Sequence, residues 1–187
     1  RVGINIGTDA IWSASSAPST VYVKNAVIAK NKIHDVVDER TFTGAGIIVS
    51  AADGANATNN LIANNVIYGI KANGTSGDQT VGIGLSAGNG ERVVYNSIYL
   101  TGDTDPDAGA SAPSTSNAGI NIAYAAVTNP LIKDNAVYMD LSSTSATTLQ
   151  SSCINVPSSY VWGTGSSNYN DLFRLGTNTQ ANVGSVG

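Results

Sequence analysis

The residues best suited to hold a metal ion are three aspartates at alternate positions of one loop, Asp103-Thr104-Asp105-Pro106-Asp107. Hard carboxylate oxygens at this spacing resemble the first half of a calcium-binding loop. However, Ala108 stands where such a loop has glycine, and no later glutamate completes the shell. Pro106 is equally typical of an ordinary acidic turn. We therefore expect no cofactor, with Ca²⁺ at Asp103, Asp105 and Asp107 as the open alternative.

A second set of residues with recognition chemistry is a row of rings that recurs along the chain. Its members each follow a repeated asparagine by three positions, and they are His34, Tyr68, Tyr99, Tyr138 and Phe173. If the repeats stack at the spacing of neighbouring strands, about 4.8 Å, these rings lie one above another. Such a row could form a platform for sugar rings at Tyr68, Tyr99 and Tyr138, or it could be a structural stack under a loop.

Catalytic chemistry has few candidates in this sequence. The single cysteine, Cys153, excludes an internal disulfide and a Cys-rich zinc site, and His34 is the single histidine. The nearest approach to an acid–base cluster is Asp38-Glu39-Arg40, just after His34 and Asp35. A solvated loop with a local ion pair explains that run as well. We predict no catalytic residue.

Composition narrows the choice of partner. The net charge is −4, the pI is about 4.7 and the basic residues are scattered, which disfavours a nucleic-acid surface. No run of 18 apolar residues exists, so we expect no membrane insertion. Charged residues make up only 12% of the chain, but recurrent clusters of Ile, Val and Leu argue against disorder.

These residues lie within a repeat that is marked by asparagine. The motif is an aliphatic residue, two variable residues, Asn, one variable residue, an aliphatic residue and an aromatic residue, as in Ile62-Ala63-Asn64-Asn65-Val66-Ile67-Tyr68. The asparagines are Asn31, Asn65, Asn96, Asn135 and Asn170. Their spacings are 34, 31, 39 and 35 residues.

A second motif recurs in phase with the first, as a small residue followed by Ile, a variable residue and an aliphatic residue. Its copies begin at Gly3, Gly46, Gly82, Gly119 and Cys153. Two motifs that recur in the same order at one period predict a solenoid.

The repeat unit is β-structure. Ile, Val, Thr and Tyr dominate both motifs, and the aliphatic residues alternate, as in Ile120 and Ile122. We expect each asparagine to take a left-handed backbone at a sharp bend and to stack its amide on that of the next coil. The sequence thus predicts an all-β, right-handed parallel β-helix of about five coils of three strands, forming one domain over residues 1–187.

The two motifs resemble the parallel β-helix repeat of the pectin-lyase-like superfamily, over nearly the whole chain. In addition, Ser167-Asn168-Tyr169-Asn170-Asp171-Leu172-Phe173 is similar to a stretch of large secreted bacterial β-helix proteins, from which Asn168 departs. The resemblance implies an extracellular or cell-surface protein and a chain that is a fragment of a longer one. It is specific for fold, because the superfamily includes lyases, hydrolases, adhesins and phage tailspikes.

Enzymes of this superfamily usually act on the outer face of one sheet, with a basic residue and acidic Ca²⁺ ligands or with clustered aspartates. The outward positions expected of the second motif carry no ionisable group, and they are Asn5, Ile48, Gly84, Asn121 and Asn155. Whether the chain is an enzyme stays open, with a non-catalytic role favoured.

We therefore expect a non-catalytic extracellular module for adhesion or glycan binding. The alternatives are a structural spacer or filament unit, and part of a polysaccharide lyase or hydrolase with its catalytic residues elsewhere. Terminal coils without caps present open strand edges, so we also expect self-association end to end.

Overall fold

A computed structural model of the protein describes residues 1–7, 22–38, 42–72, 79–104, 117–143, 149–175 and 181–186. Every regular element within those ranges is a β-strand. In chain order the strands are β1 (Val2–Ile6), β2 (Val27–Ala29), β3 (Lys32–His34), β4 (Val37–Asp38), β5 (Gly44–Ser50), β6 (Leu61–Ala63), β7 (Val66–Tyr68), β8 (Lys71–Ala72), β9 (Thr80–Asn89), β10 (Arg92–Val94), β11 (Ser97–Asp103), β12 (Asn117–Ile122), β13 (Val127–Thr128), β14 (Leu131–Lys133), β15 (Ala136–Ser142), β16 (Ser151–Val156), β17 (Ser166–Asn168), β18 (Asp171–Arg174) and β19 (Ala181–Val186).

Three parallel sheets run along the solenoid, and each coil contributes one strand to each. The first sheet has the order β1-β5-β9-β12-β16-β19, with β13 paired to the end of β9. The second sheet is β17-β14-β10-β6-β2, and the third is β18-β15-β11-β7-β3. A two-stranded sheet joins β4 to β8. All pairings are between residues of successive coils, as the repeat predicts.

The all-β parallel solenoid expected from the sequence is confirmed. Two sheets contain a strand from each of five coils, but only the interior coils are covered by a neighbour on both sides. About three turns are therefore fully enclosed, a small difference from the five expected.

The core consists of aliphatic side chains that repeat at the same place in each coil. In the first sheet Ile47 pairs with Ile83 and Ile83 with Ile120. In the second sheet Ile62 pairs with Val93, and in the third Ile67 pairs with Ile98. All of these side chains are buried in one cluster, so the alternation in the sequence sets which residues face inward.

The glycines of the second motif allow the first sheet to approach the third. A Cβ atom at Gly46 would lie 2.6 Å from Cγ2 of Ile67 and 2.7 Å from the carbonyl oxygen of Gly82. Real Cβ atoms do not come so close to backbone, so a side chain at Gly46 would require its neighbours to move. Cys153 takes the same place in β16 and is fully buried, as expected of a small packed residue.

The bend between the second and third sheets differs from the expectation in one respect. Its left-handed residue precedes the repeated asparagine, with φ between 54° and 59° at Lys30, Asn64, Tyr95, Asp134 and Tyr169. The asparagine itself does not adopt positive φ in any described coil. The position requires asparagine because of the hydrogen bonds that the side chain makes. Each side-chain Nδ2 donates to Oδ1 of the next asparagine at 2.9–3.0 Å, which forms the expected internal ladder of Asn31, Asn65, Asn96, Asn135 and Asn170.

Candidate aromatic groove

The outer face of the third sheet carries the row of rings. In each coil the second residue of the strand points into the core, so the residues on either side of it point outward. The register places Tyr68 beside Tyr99 and Tyr99 beside Tyr138. The structure thus brings together all three of the tyrosines predicted as binding residues.

The rings form two separate stacks. His34 stacks on Tyr68 with centroids 5.0 Å apart and planes 5° apart. Tyr99, Tyr138 and Phe173 form the other stack, with centroid separations of 4.8 and 5.3 Å. Among the described rings, no contact joins Tyr68 to Tyr99, although the two residues are directly paired. The row is therefore interrupted between the second and third coils, an interruption we call the break.

A second outward row runs beside the rings and has small or neutral side chains in its centre. It consists of Val66, Ser97 and Ala136, with Lys32 at one end and Asp171 at the other. The two rows enclose an open groove of about 470 Å³ that extends from Val66 and Tyr68 to Asp171 and Phe173. The groove is almost entirely apolar, and Asp171 is the one charged side chain in its described lining.

The phenol of Tyr138, in the middle of the groove, has a raised pKa and is neutral at physiological pH. Local desolvation and, after it, the charges of Asp140 and Tyr99 raise the pKa of Tyr138 above its ordinary value. A neutral phenol both donates and accepts hydrogen bonds. The groove can therefore bind a ligand that has apolar faces and hydroxyl groups.

The charged run after the third strand of the first coil is only partly described. His34 Nδ1 lies 2.7 Å from Oδ2 of Asp35, and both side chains are exposed. Asp38 is buried, rather than solvated as a surface loop would leave it. Glu39 and Arg40 lie outside the described residues. An exposed His–Asp contact of this kind, at the end of a stack, contributes little to stability.

The aspartates predicted to bind calcium lie at the end of β11. Asp103 is the last residue of that strand and is half-buried, whereas Asp105 and Asp107 lie outside the described residues. Within the described ranges, no group of three or more His, Cys, Asp or Glu side chains is placed to hold a metal ion. The calcium site stays a prediction.

The outer face of the first sheet corrects an expectation. We expected Asn5, Ile48, Gly84, Asn121 and Asn155 to be exposed, but Ile48, Gly84 and Asn121 are buried and the other two are half-buried. The physical reason is a second apolar cluster, in which Ile48 packs with Ala45 and Val81. The lack of ionisable groups on this face therefore reflects burial and says nothing about catalysis.

Sequence reasoning missed a buried carboxylate at the start of the second sheet. Glu91 is 0% exposed, and its Oε1 accepts hydrogen bonds from Thr58 Oγ1 at 2.5 Å and Asn60 Nδ2 at 3.1 Å. Its Oε2 accepts one from the Asn60 backbone N–H at 2.7 Å. Burial raises the pKa of Glu91, and the bonds from Thr58 and Asn60 offset part of that rise. The signal was available, because Asn60 and Glu91 both stand directly before a strand of the second sheet.

The single cysteine is chemically quiet. Cys153 is buried, and its Sγ lies 3.5 Å from the carbonyl oxygen of Phe173. Burial raises the pKa of its thiol to about 11, so the nucleophilic thiolate is scarce at neutral pH.

The fold and the groove define a parallel β-solenoid that carries an exposed, aromatic-lined groove on its third sheet. No protein-family model, no curated protein and no solved structure matches the chain at a significant level. No helix in the described part of the chain is long and apolar enough to cross a membrane.

Proposed function

We propose that this chain is a non-catalytic module of an extracellular or cell-surface β-helix protein and that it binds glycans through the aromatic groove. In this proposal the parent is a secreted bacterial protein of the pectin-lyase-like type, which the asparagine and Gly-Ile motifs resemble. The groove is the observation that carries the proposal.

Three properties of the groove support glycan binding. It is concave, apolar and lined by few polar groups, as small-molecule and cofactor sites commonly are. Its large rings are exposed to an unusual degree for an apolar surface, 52% at Tyr99 and 51% at Phe173. Sugars combine apolar C–H faces with hydroxyl groups, and tyrosine side chains match both of these features.

A glycan array is the test, with the wild-type chain compared with the double variant Tyr99→Ala/Tyr138→Ala. We expect binding to a defined set of glycans that the double variant loses. The matched control is Tyr95→Asn, which removes a tyrosine that is 59% exposed at a left-handed position outside the groove. Equal binding by the wild type and the double variant, or no binding by the wild type, would contradict the proposal.

A structural spacer or filament unit is the second candidate, and the pairing between coils favours it. Each coil bonds to the next through parallel strands and through the asparagine ladder, so any coil edge is a template for another coil. In this case the edges stack on further coils, either of the parent chain or of a second copy. Sedimentation over a hundredfold range of concentration tests association of the isolated chain, and a strictly monomeric folded species would argue against it.

A further inference from the structure

The break in the aromatic row suggests which glycans would bind and where. We infer that the groove takes an uncharged glycan chain lying along the solenoid axis, with one sugar ring packed at the break between Tyr68 and Tyr99. This inference rests on the proposed glycan binding and adds to it the class of ligand and the place of contact.

The rings in the row differ in how far their faces are covered by neighbouring rings. Tyr138 has a ring on each side, at 4.8 and 5.3 Å, so both of its faces are covered. Tyr99 has a ring partner on one side only, and it is more exposed than Tyr138. Tyr68 also has one stacked partner, His34, which belongs to the preceding coil. The break is thus the place inside the row where neighbouring rings do not stack on each other, and a sugar ring can lay its apolar face on aromatic surface there.

At the break, the row of side chains beside the rings is small and mostly apolar. Val66 and Ser97 pair with each other there, and both side chains are exposed. Val66 provides apolar area, and the Ser97 hydroxyl can donate or accept one hydrogen bond to a sugar hydroxyl. A single polar group in an otherwise apolar row suits a ligand that is itself uncharged.

The charges near the groove also bear on the class of ligand. An anionic glycan would meet Asp171 in the described lining with no cation beside it there. Lys32 lies one coil beyond the break, with its Nζ 5.5 Å from the centre of the Tyr68 ring. Its ammonium group lies over the Tyr68 ring, at the opposite end of the row from Asp171. Acidic chains are therefore disfavoured, and uncharged chains carry no such penalty.

The length and direction of the groove bear on the size of the ligand. The lining residues come from four successive coils, from Val66 in β7 to Asp171 in β18. At the spacing of neighbouring strands the groove is roughly 14 Å long. This length accommodates several linked sugar rings, so an oligosaccharide should bind more tightly than a monosaccharide.

Titration calorimetry with oligosaccharides of one length provides the test. The uncharged probes are cellohexaose and chitohexaose, and the acidic probes are hexagalacturonate and an alginate hexamer. We expect an uncharged probe to bind at least about tenfold more tightly than either acidic probe. Tyr99→Ala should weaken that binding by about tenfold or more, whereas Tyr99→Phe, which keeps the ring face, should stay within about threefold of the wild type.

Two control variants locate the contact. Tyr95→Asn removes an exposed tyrosine outside the groove and should leave the affinity for uncharged probes unchanged. Lys32→Gln removes the nearby cation and tests whether that cation attracts acidic probes. Thermal unfolding of every variant separates loss of binding from loss of fold. If Tyr99→Ala fails to fold, the comparison of the two probe classes on the wild-type chain still decides whether the ligand is uncharged, and a loss of affinity in Tyr99→Phe would still contradict contact through the ring face.

The outcomes distinguish this inference from the proposed function. Tighter binding of an acidic probe, weakened in Lys32→Gln, would overturn the inference and leave glycan binding in place. Unchanged affinity in a folded Tyr99→Ala chain would move the ligand away from the break and would also overturn it. Absence of binding to every glycan would remove the proposed function and the inference together.

Discussion

Asn65 bonds to Asn96 through two donors that share one acceptor. Its side-chain Nδ2 donates to Oδ1 of Asn96 at 2.9 Å, and its backbone N–H donates to the same oxygen at 3.1 Å. The same Nδ2 also donates to the carbonyl oxygen of Ile28 in the preceding coil at 2.9 Å. One side chain therefore joins three successive coils, and the polar groups of the buried bend are satisfied without water.

Replacing one member of this ladder should destabilise the fold strongly. Asn96→Leu removes the acceptor of the Asn65 N–H and side-chain amide, and it also leaves the carbonyl oxygen of Ile62 without its bond. Each buried polar group that loses its partner costs about 1–3 kcal/mol, so we expect a loss of about 3 kcal/mol or more in the free energy of unfolding. Denaturant titration measures it.

The control for the ladder is Asn168→Ala. Asn168 is exposed, and its side chain bonds only to the neighbouring backbone N–H of Tyr169. We expect a change of about 0.5–1 kcal/mol. Equal losses in Asn96→Leu and Asn168→Ala would contradict a structural role for the ladder.

The close approach at the glycine row makes a second prediction. A Cβ atom at Gly82 would lie 2.5 Å from the carbonyl oxygen of Gly119 and 2.7 Å from Cγ2 of Ile98. Because backbone must move to make room, Gly82→Ala should cost about 1–3 kcal/mol in the free energy of unfolding. The same change at Gly54, where φ is +55° and no atom lies within 4 Å, adds backbone strain of about 1 kcal/mol and no clash.

Thermal and denaturant unfolding of the two alanine variants separate the effects. A Gly82→Ala chain as stable as the wild type would show that the coils can move apart without loss of stability.

The buried carboxyl of Glu91 predicts a dependence of stability on pH. Because burial raises its pKa in the folded state, the folded chain keeps this proton at a pH at which the unfolded chain has already lost it. The contribution of Glu91 is therefore most favourable below its ordinary pKa of 4.5, and it decreases as the pH rises through the folded-state value. At higher pH the charged form remains, held by the bonds from Thr58 and Asn60.

The variant Glu91→Gln isolates this effect. It keeps the size of the side chain and cannot titrate, so the stability difference between the wild type and the variant should change with pH in the direction just given. Unfolding measured from pH 4 to pH 8 gives the two curves. Parallel curves would show that Glu91 does not titrate differently in the folded and unfolded states.

The calcium prediction needs its own measurement. The open alternative of a calcium site at Asp103, Asp105 and Asp107 predicts weak binding, with a Kd of about 10⁻⁴–10⁻³ M, because the carboxylates at alternate positions supply only part of a coordination shell. Titration calorimetry on the wild type and on Asp105→Asn/Asp107→Asn measures it. No heat in the wild type, or equal heat in both, would leave the loop as an acidic turn.

The periodicity of the sequence was sufficient to predict the parallel solenoid, the inward rows and the asparagine ladder. A solenoid repeats one local environment in each coil, so the same residue types recur wherever the environment is the same. Ile67, Ile98 and Val137 are buried for this reason, and so are the amides of Asn65 and Asn96.

The sequence alone did not show which residue takes the left-handed turn. Side-chain type was a poor guide, because Lys30 and Tyr95 adopt positive φ while the asparagine beside each does not. The asparagine contributes through the bonds that its amide makes to other coils, and those bonds exist only after the coils have stacked.

Tertiary structure alone decided which surfaces are open. Alternation predicted that Ile48 faces outward, but it could not show that Ile48 is buried in a second apolar cluster. It also predicted the row of rings, but not the break between Tyr68 and Tyr99. Alternation determines only which face of its own strand a side chain occupies. Whether that face is buried, and whether two paired rings touch, depends on packing between residues that are far apart in the chain.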